Sequence, residues 1–399
     1  QRQMCIRDSM SGGQKQRVMI AMTLAAEPDF IVADEPTTAL DVTIQAQILD
    51  LLRELQRERG VGLLLITHDL AVVSGMADRV ALMYAGQIVE VAEAPDFFRS
   101  PRHPYAALLL AALPETARPG QPLAAIAGTV PAMTGTFDGC RFAPRCPQAM
   151  AVCSSTVPKL WPLEGAGQGE PRSHAVRCWL HHRSDGLAAA GLQAARGVLA
   201  AGESTIEGAA GGVEPAAGGR DAPLPSGPTT TPLLDLRHLD VRFLQRSGLL
   251  QRVTGEFHAV KDVSFSIGAG RTVALVGESG CGKTTLGKAV VQLLRGTAQV
   301  GGEVLLDGRD LLTQQGAALR EARRQVQIVF QDPFASLNPR LRVSEILEEG
   351  ATALNPTEDG AARRQRIAAL CDRVGLRADA MGRYPHEFSG GQRQRIAIA

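Results

Sequence analysis

The sequence predicts an α/β chain that contains two partial doubly wound domains. Apolar strand patterns alternate with amphipathic helix patterns in the first and in the last part of the chain, which favours parallel sheets covered by helices. The nearly identical heptapeptides SGGQKQR at 11–17 and SGGQRQR at 389–395 place one copy of the same element in each part. Between them, residues 186–232 are rich in Ala, Gly, Pro and Thr, which is typical of a flexible linker.

Composition narrows the class of protein. The 399 residues are too many for one compact core, so two to three domains are expected. A balance of 42 basic against 41 acidic residues argues against a dedicated nucleic-acid binder, because no basic excess is there to neutralise phosphates. No apolar run reaches the ~18 residues of a membrane span, and no signal peptide is evident, which predicts a cytosolic chain.

The first predicted domain covers residues 10–113. After the first heptapeptide comes the helical pattern RVMIAMTLAAE, followed by the strand FIVADEP. The pattern TIQAQILDLLRELQRERG then predicts an amphipathic helix that ends at Gly60. GLLLITHD predicts a buried strand that ends at His68. This alternation indicates a doubly wound domain with its functional residues at the carboxyl ends of the strands.

An irregular segment at 114–185 and the linker separate this domain from a second one, which covers 233–399. The irregular segment is rich in Pro, Gly and Cys. Residues 1–9 depart from the pattern that precedes the second heptapeptide, so we interpret them as foreign sequence. The chain begins with Gln and stops within a helical pattern, and we therefore expect it to be an internal fragment of a longer protein.

A phosphate-binding loop is predicted at 277–284, where GESGCGKT fits the pattern G-x-x-x-x-G-K-[ST]. The strand RTVALV precedes the loop and the helix TLGKAVVQLL follows it, which is the context that the motif needs. The glycines let backbone N–H groups close around phosphates at a helix N-terminus. Lys283 is expected to reach the β and γ phosphates, and the Thr284 hydroxyl is expected to bind Mg²⁺.

Two adjacent acids, Asp34 and Glu35, end the strand FIVADEP. Carboxylates in this position can divide the work of hydrolysis, one near Mg²⁺ and one orienting the attacking water. Acids at strand ends are more often solvated turn residues. The presence of His68 at the end of the next strand favours a functional pair.

These motifs together resemble the ATP-binding subunits of ABC transporters. In the terms of that family, the second domain carries the Walker A loop, the Q-loop glutamine Gln331 in VFQDP and the signature FSGGQ at 388–392. The first domain carries the signature MSGGQ at 10–14, a Walker B pair, the D-loop TALD at 38–41 and a switch histidine. The resemblance implies two partial nucleotide-binding domains of the P-loop NTPase type.

The resemblance implies a role for each matching residue. Glu35, His68 and Gln331 would be catalytic, and Asp34, Thr284 and Gln331 would bind Mg²⁺. An aromatic residue, either Phe243 or Phe257, would stack on adenine. The implied ATP-binding residues are Gly277, Ser279, Gly280, Gly282, Lys283, Thr284 and Thr285 in the loop, Ser11, Gly12, Gly13 and Gln14 in the first signature, Ser389, Gly390, Gly391 and Gln392 in the second signature, and Asp41 in the D-loop.

The irregular segment narrows the resemblance to one group of importers. SPRHPYAALLLAALP at 100–114, followed by GCRFAPRCPQAMAVC and HAVRCW, resembles the carboxyl-terminal extension of the dipeptide, oligopeptide, glutathione and nickel importers. Four thiolates can hold an iron–sulfur cluster or a zinc ion, and gaps of 5, 6 and 24 residues are longer than those of most zinc sites. Members of the group carry a [4Fe–4S] centre here, with zinc or four unligated cysteines as alternatives. The implied ligands are Cys140, Cys146, Cys153 and Cys178.

The importer group implies a function and partners. The chain would bind and hydrolyse ATP to energise the import of di- or oligopeptides or a related small solute such as glutathione or nickel. It would lie peripherally on the cytoplasmic face of the inner membrane, with two integral-membrane permease subunits and an extracytoplasmic solute-binding protein. The alternatives are a tandem ABC ATPase of DNA excision repair, whose zinc modules use C-x-x-C pairs, and a ribosome-acting tandem ABC protein, whose linker is a charged helix.

The distribution of motifs predicts two incomplete catalytic sites. In this family each ATP lies between the Walker motifs of one domain and the signature of the other. The first predicted domain has no Walker A sequence before its signature, and the second has no Walker B sequence after its own. We therefore expect the 399-residue chain to bind ATP in its second domain and to hydrolyse it negligibly.

Overall fold

Strands from both predicted domains share one central sheet. The computed structural model describes residues 12–38, 40–113, 125–163, 174–182, 232–247, 252–332, 336–376 and 378–385. In these ranges the helices are α1 (Gly12–Leu24), α2 (Val42–Arg59), α3 (Leu70–Met76), α4 (Ala94–Arg99), α5 (Pro104–Ala111), α6 (Ala151–Ser155), α7 (Lys283–Val290), α8 (Gly316–Gln325), α9 (Val343–Leu354) and α10 (Gly360–Arg373), with 3₁₀ turns at Ala143–Arg145, Trp179–His181 and Ala378–Gly382. The strands are β1 (Phe30–Asp34), β2 (Gly62–Ile66), β3 (Arg79–Tyr84), β4 (Gln87–Glu93), β5 (Trp161–Pro162), β6 (Ala175–Val176), β7 (Leu234–Ser247), β8 (Arg252–Ile267), β9 (Thr272–Val276), β10 (Gln299–Leu306), β11 (Arg309–Asp310) and β12 (Val326–Val329).

The order of the central sheet mixes the two parts of the chain. Across the described strands it is β12-β1-β2-β9-β3-β4-β6-β5. β9 lies between β2 and β3 and runs parallel to both, with Leu64 opposite Val273 and Val80 opposite Ala274. At the other side of β2, β1 is parallel to β2 and to β12. The parallel core of the sheet therefore takes β1, β2 and β3 from the first part and β9 and β12 from the second.

This sheet differs from the two separate partial domains that the sequence predicts. β1, β2 and β9 are each buried along their whole length, as central strands covered on both faces must be. Buried strands need partners for every backbone N–H and C=O group. In the described structure, pairing across the two parts satisfies those groups on β2, β9 and β3, so the two parts complete one α/β domain.

Two further layers cover the central sheet. β11-β10-β7-β8 form an antiparallel sheet in the described residues, and its apolar residues Leu239 and Val263 share a core with Phe30 and Leu64. On the other side, α9 and α10 pack with α1 and α2 in a second core. Both cores combine residues from the two parts of the chain.

Helix α2 follows the sequence prediction closely. Its apolar face buries Ile48, Leu52 and Leu55. It ends where Gly60 adopts the left-handed conformation, with φ 67°, and the Gly60 N–H donates to the Gln56 carbonyl. The predicted end of this helix at Gly60 is confirmed.

The irregular segment is attached to the edge of the central sheet. β6 pairs with β4, where Val91 lies opposite Ala175, and β5 pairs with β6. Tyr84, Tyr105 and Phe142 meet in a buried aromatic cluster that joins β3, α5 and this segment. Among the described helices, none combines the length and apolar character that a membrane-spanning helix requires.

Candidate nucleotide-binding site

The phosphate loop connects β9 to α7 and packs closely against its neighbours. Gly277 and Gly282 have φ angles of 149° and 106°, in the region that favours glycine. A Cβ atom at Gly282 would overlap the carbonyl oxygen of Ala259 on β8, and one at Gly277 would overlap that of Met83 on β3. Glycine is therefore needed at both positions to let the loop close against the sheets.

The ammonium of Lys283 lies over the backbone of the loop. Its Nζ atom donates to the carbonyl oxygens of Gly277 at 2.8 Å and Glu278 at 3.0 Å, and the residue is 5% exposed. The positive charge is thus held at the centre of the loop, at the N-terminus of α7. Both features favour a bound anion.

A hydrogen bond joins the loop to β1, the strand predicted to end in the Walker B pair. The Thr284 hydroxyl donates to Asp34 Oδ1 at 3.0 Å, across 250 positions of sequence. Asp34 is 2% exposed, and this burial raises the pKa of its carboxyl group, while the hydrogen bond from Thr284 opposes the rise. These two oxygen-bearing side chains are the kind of ligand that Mg²⁺ prefers, so the residues present fit that ion.

The carboxylate of Glu35 is contacted from three directions. Its Oε2 atom accepts from Gln331 Nε2 at 2.9 Å and from the Thr38 hydroxyl at 2.9 Å, and its Oε1 atom lies 3.3 Å from His68 Nδ1. Glu35 has a φ of 47°, an uncommon conformation for a residue with a side chain, and such strain is concentrated at functional sites. The three predicted catalytic residues Glu35, His68 and Gln331 therefore meet at one point.

This geometry differs from the two incomplete sites expected from the sequence. The Walker A loop and Gln331 come from the second part, and the Walker B pair and His68 come from the first, yet all of them lie in one site. The physical reason is the position of β9 between β2 and β3, which places the carboxyl ends of these strands side by side.

Only some of the remaining predicted ATP-binding residues lie within the described part of the chain. Ser279, Gly280 and Thr285 lie in the loop or the first turn of α7. Gly12, Gly13 and Gln14 open α1, whereas Ser11 and all of Ser389, Gly390, Gly391 and Gln392 lie outside the described residues. Asp41 is the exposed N-cap of α2, next to Val42, which is 83% exposed.

The two candidate adenine-stacking residues lie opposite each other. Phe243 on β7 pairs with Phe257 on β8, and their ring centroids are 6.4 Å apart. Phe257 also forms a β-bridge with Thr134 of the irregular segment. Both therefore stay candidates.

The four cysteines of the irregular segment line one small cavity. Cys140, Cys146, Cys153 and Cys178 border it together with His103. Burial raises the pKa of the Cys146 thiol to about 11 and that of Cys178 to about 12, and the neighbouring thiols add to the rise. The Cys146 and Cys178 thiols are thus predominantly protonated at neutral pH unless a cation compensates their charge.

The same cavity shows how far these residues fit a metal centre. His103 Nδ1 accepts from the Tyr105 N–H, while the buried Nε2 atom has no hydrogen-bond partner in the described structure. In that part of the chain, no three His, Cys, Asp or Glu side chains come close enough together to hold a metal ion. The donor set suits a thiolate-ligated group, but the described arrangement is not a ready site for a single ion.

Sequence reasoning missed a pair of residues that touch the phosphate loop. Arg145 Nη1 donates to Glu278 Oε2 at 2.9 Å, and the Tyr105 hydroxyl accepts from the Glu278 N–H at 3.0 Å. Tyr105 could have been singled out from the motif RHPY in the extension. No local signal identifies Arg145, because its partner lies 133 positions away.

Two family models match this chain. One is described as ABC transporter and matches residues 1–38 and 260–399. The other, described as the C-terminal region of oligopeptide/dipeptide transporters, matches residues 89–153 and so covers three of the four cavity cysteines.

Several relatives resemble this chain along almost its whole length. The glutathione import ATP-binding protein GsiA of Shigella flexneri is 38% identical over 392 residues, which are 98% of this chain and 49% of the relative. GsiA of Pectobacterium atrosepticum is 39% identical over 391 residues, with the same coverage of 98% and 49%. The oligopeptide transport ATP-binding protein OppD of Mycobacterium tuberculosis is 40% identical over 394 residues, which are 98% of this chain and 58% of the relative.

The chain therefore spans about half the length of these relatives. The comparisons confirm the predicted resemblance to ABC ATP-binding subunits and to the oligopeptide and glutathione importer group. The fused tandem form, the fragment status and the foreign origin of residues 1–9 stay predictions.

Proposed function

We propose that this chain is the ATP-binding and ATP-hydrolysing part of an ABC importer for di- or oligopeptides or a related small solute such as glutathione or nickel. One observation carries the proposal: the Thr284–Asp34 hydrogen bond joins Walker A to Walker B in one site. The solute class is supported by the relatives named for glutathione import and oligopeptide transport and by the match over 89–153.

The proposal gives each residue of the site a task that its contacts support. The loop would take the phosphates of ATP, and Lys283 would exchange its two carbonyl acceptors for phosphate oxygens. Glu35 would accept a hydrogen bond from the attacking water and align it, while Gln331 and His68 hold the carboxylate in place. Thr284, Asp34 and Gln331 would hold Mg²⁺, which neutralises charge on the phosphates.

A complete site in an ABC ATPase also needs a signature from another nucleotide-binding domain. The sequence has two signatures, at 10–14 and 388–392, and either could supply it from a second domain. Asp41 and Val42 present an exposed surface at the start of α2, which suits a face that meets such a domain. Turnover is thus expected when two domains come together, and nucleotide binding needs only one.

The importer assignment includes partners and a place in the cell. The chain would act peripherally at the cytoplasmic face of the inner membrane, with two integral-membrane permease subunits and an extracytoplasmic solute-binding protein. Copurification with a permease tests this part. Copurification with ribosomes or nucleic acid in its place would favour the translation or DNA-repair alternatives and reject the importer.

We also propose a [4Fe–4S] cluster with a structural role at the four cysteines. Their shared cavity supports it, and so does the buried His103 N–H, which lacks an acceptor there. In the described residues no three His, Cys, Asp or Glu side chains come close enough together to hold a metal ion, so the proposal rests on the shared cavity and on the resemblance to the importer group. Anaerobically purified chain should contain about four irons. If the chain contains zinc and no iron, a zinc site replaces the proposed cluster. If it contains neither metal, both kinds of site are rejected.

Titration calorimetry with MgATP tests the nucleotide site. The purified chain should bind ATP, and Lys283→Ala should weaken binding at least about tenfold, because it removes a charge held against the phosphates. Lys159→Ala, an exposed lysine in the irregular segment, is the matched control and should bind like the wild type. Equal ATP affinity of the wild type and Lys283→Ala would reject the assignment.

A further inference from the structure

Glu278, the second residue of the phosphate loop, is held from outside the loop at two atoms. Arg145 donates to its carboxylate at 2.9 Å, and its backbone N–H donates to the Tyr105 hydroxyl at 3.0 Å. The Arg145 side chain is only 6% exposed. A charge-assisted hydrogen bond in such a buried setting is stronger than an exposed ion pair. The contacts therefore restrain both the backbone and the side chain of this loop residue.

The Arg145 guanidinium is itself fixed by three further groups. It donates to the carbonyl oxygens of Ile126 at 3.2 Å and Ala127 at 2.8 Å, and to the Tyr84 hydroxyl at 3.3 Å. The planar fork of an arginine can serve these directions together, and a lysine cannot. Because Tyr84 ends β3, Arg145 ties the irregular segment, the central sheet and the phosphate loop to one another.

Both contacts on Glu278 come from chain that borders the four-cysteine cavity. Arg145 directly precedes Cys146 and ends a 3₁₀ turn whose first N–H, that of Ala143, donates to the Cys140 carbonyl at 3.0 Å. Tyr105 follows His103 and Pro104, which line the cavity. Two separate segments thus run from the cavity to the same residue of the loop.

We propose that Arg145 and Tyr105 are positioning residues of the phosphate loop and that they couple the four-cysteine cavity to nucleotide binding. The inference rests on the proposed function, because it requires ATP to bind in this loop. Coupling between two sites is reciprocal. Bound nucleotide therefore stabilises the cavity to the same extent that an ordered cavity strengthens nucleotide binding.

The first test is a double-mutant cycle on the full chain, with ATP affinity measured by calorimetry. Arg145→Lys and Tyr105→Phe should each weaken binding about fivefold, since each disrupts a partly buried hydrogen bond to the loop. In a Glu278→Gln background, Arg145→Lys should cause little further loss, because Arg145 acts through Glu278. Arg324→Lys, which alters the Arg324–Glu321 pair on α8, is the matched control and should leave affinity unchanged.

The second test measures the reciprocal effect. The metal-free chain is treated with N-ethylmaleimide, and labelling of Cys146 is followed by mass spectrometry of its peptide. MgATP should slow this labelling several-fold in the wild type and not in Glu278→Gln. A structural role without coupling would give the same protection in both proteins.

The outcomes separate the two levels of the proposal. A wild type that does not bind ATP rejects the proposed function together with the inference. If the wild type binds ATP and Arg145→Lys and Tyr105→Phe bind it equally well, only the inference is rejected. The inference is also rejected if Arg145→Lys lowers ATP affinity about fivefold in the Glu278→Gln background as well. Circular dichroism shows whether Arg145→Lys and Tyr105→Phe are folded. If one of them is not, the ATP affinity of the other tests the inference.

Discussion

Glu35 is contacted by predicted catalytic residues from both parts of the chain. Gln331 reaches it from the second part and His68 from the first. Its backbone is left-handed directly after β1, with a φ of 47°. A neutral amide at this position would keep the shape of the site and lose the negative charge that orients water.

Glu35→Gln should therefore separate binding from hydrolysis. With the domains assembled for turnover, we expect kcat to fall by about 100-fold or more, because a positioned base contributes on that scale. ATP affinity should stay within about twofold, since the phosphate contacts of the loop are unchanged. Steady-state phosphate release and calorimetry measure the two quantities, with Glu321→Gln on α8 as the control. Parallel loss of binding and turnover would show that Glu35 supports the loop and does not act on water.

Thr284 links the loop to Asp34, and its hydroxyl is the atom that makes the link. Thr284→Val keeps the shape of the side chain and removes that hydroxyl. We expect the gain in ATP affinity that Mg²⁺ provides to fall by about tenfold, while affinity in the presence of EDTA changes little. Thr313→Val, which alters an exposed threonine outside the site, is the control. An unchanged Mg²⁺ dependence would remove Thr284 from the set of metal ligands.

At the scale of elements, one arginine fastens the helices of the second part to α1. Arg366 on α10 donates to the Ala25 carbonyl just beyond α1, and it grips Glu358 through two hydrogen bonds of 2.8 and 2.6 Å. The bidentate pair fixes the guanidinium so that its third nitrogen points across the interface. This contact between α1 and α10 thus depends on a carboxylate that lies just before α10, and Arg17 on α1 adds a second contact through the Val374 carbonyl.

Glu358→Gln should destabilise the chain in a pH-dependent manner. The hydrogen bond from Arg366 lowers the pKa of Glu358 below its ordinary value of 4.5. A carboxyl group with a lower pKa in the folded state adds stability above its unfolded pKa and loses it as pH falls through the folded pKa. We expect the melting temperature to drop by about 1–3 °C at pH 7.

The difference between wild type and Glu358→Gln should shrink steadily as pH falls below 4.5. Glu321→Gln breaks a more exposed pair within α8 and serves as the control, with a smaller expected change. A deficit that persists at low pH would point to lost packing and not to the ion pair. Differential scanning fluorimetry over a pH series measures both variants.

The same elements show what local sequence could and could not predict. β1, β2, β9 and α2 appear where their periodicity places them, because burial and helix capping leave marks within a few residues. The Walker residues were likewise predicted from short motifs. The insertion of β9 between β2 and β3 could not be predicted, because the apolar faces of these strands do not specify which neighbour they take. The Arg145–Glu278 contact could not be predicted either, because the two residues come together only in the assembled fold.

At the scale of the whole molecule, the two parts should behave as one unit even after the chain is cut. A protease site placed within the predicted linker at 186–232 would sever the first part from the second. Because β9 pairs with strands of the first part on both sides, the two pieces should stay together and retain ATP binding. Size-exclusion chromatography before and after cleavage measures this. Separation into two folded pieces would favour the two partial domains that the sequence suggested.

The position of β9 in the sheet also delays the pairing of β2 and β3 during synthesis. β2 ends at Ile66 and β9 begins at Thr272, so 272 − 66 = 206 positions separate a buried strand from its parallel neighbour. A ribosome that adds ~5–20 residues per second needs roughly 10–40 s to cover that distance. During this interval β2 and β3 have left the exit tunnel with their facing edges unpaired, which is the condition under which strands join other chains. We therefore expect chaperones to bind the nascent first part and to release it only after β9 has emerged from the ribosome.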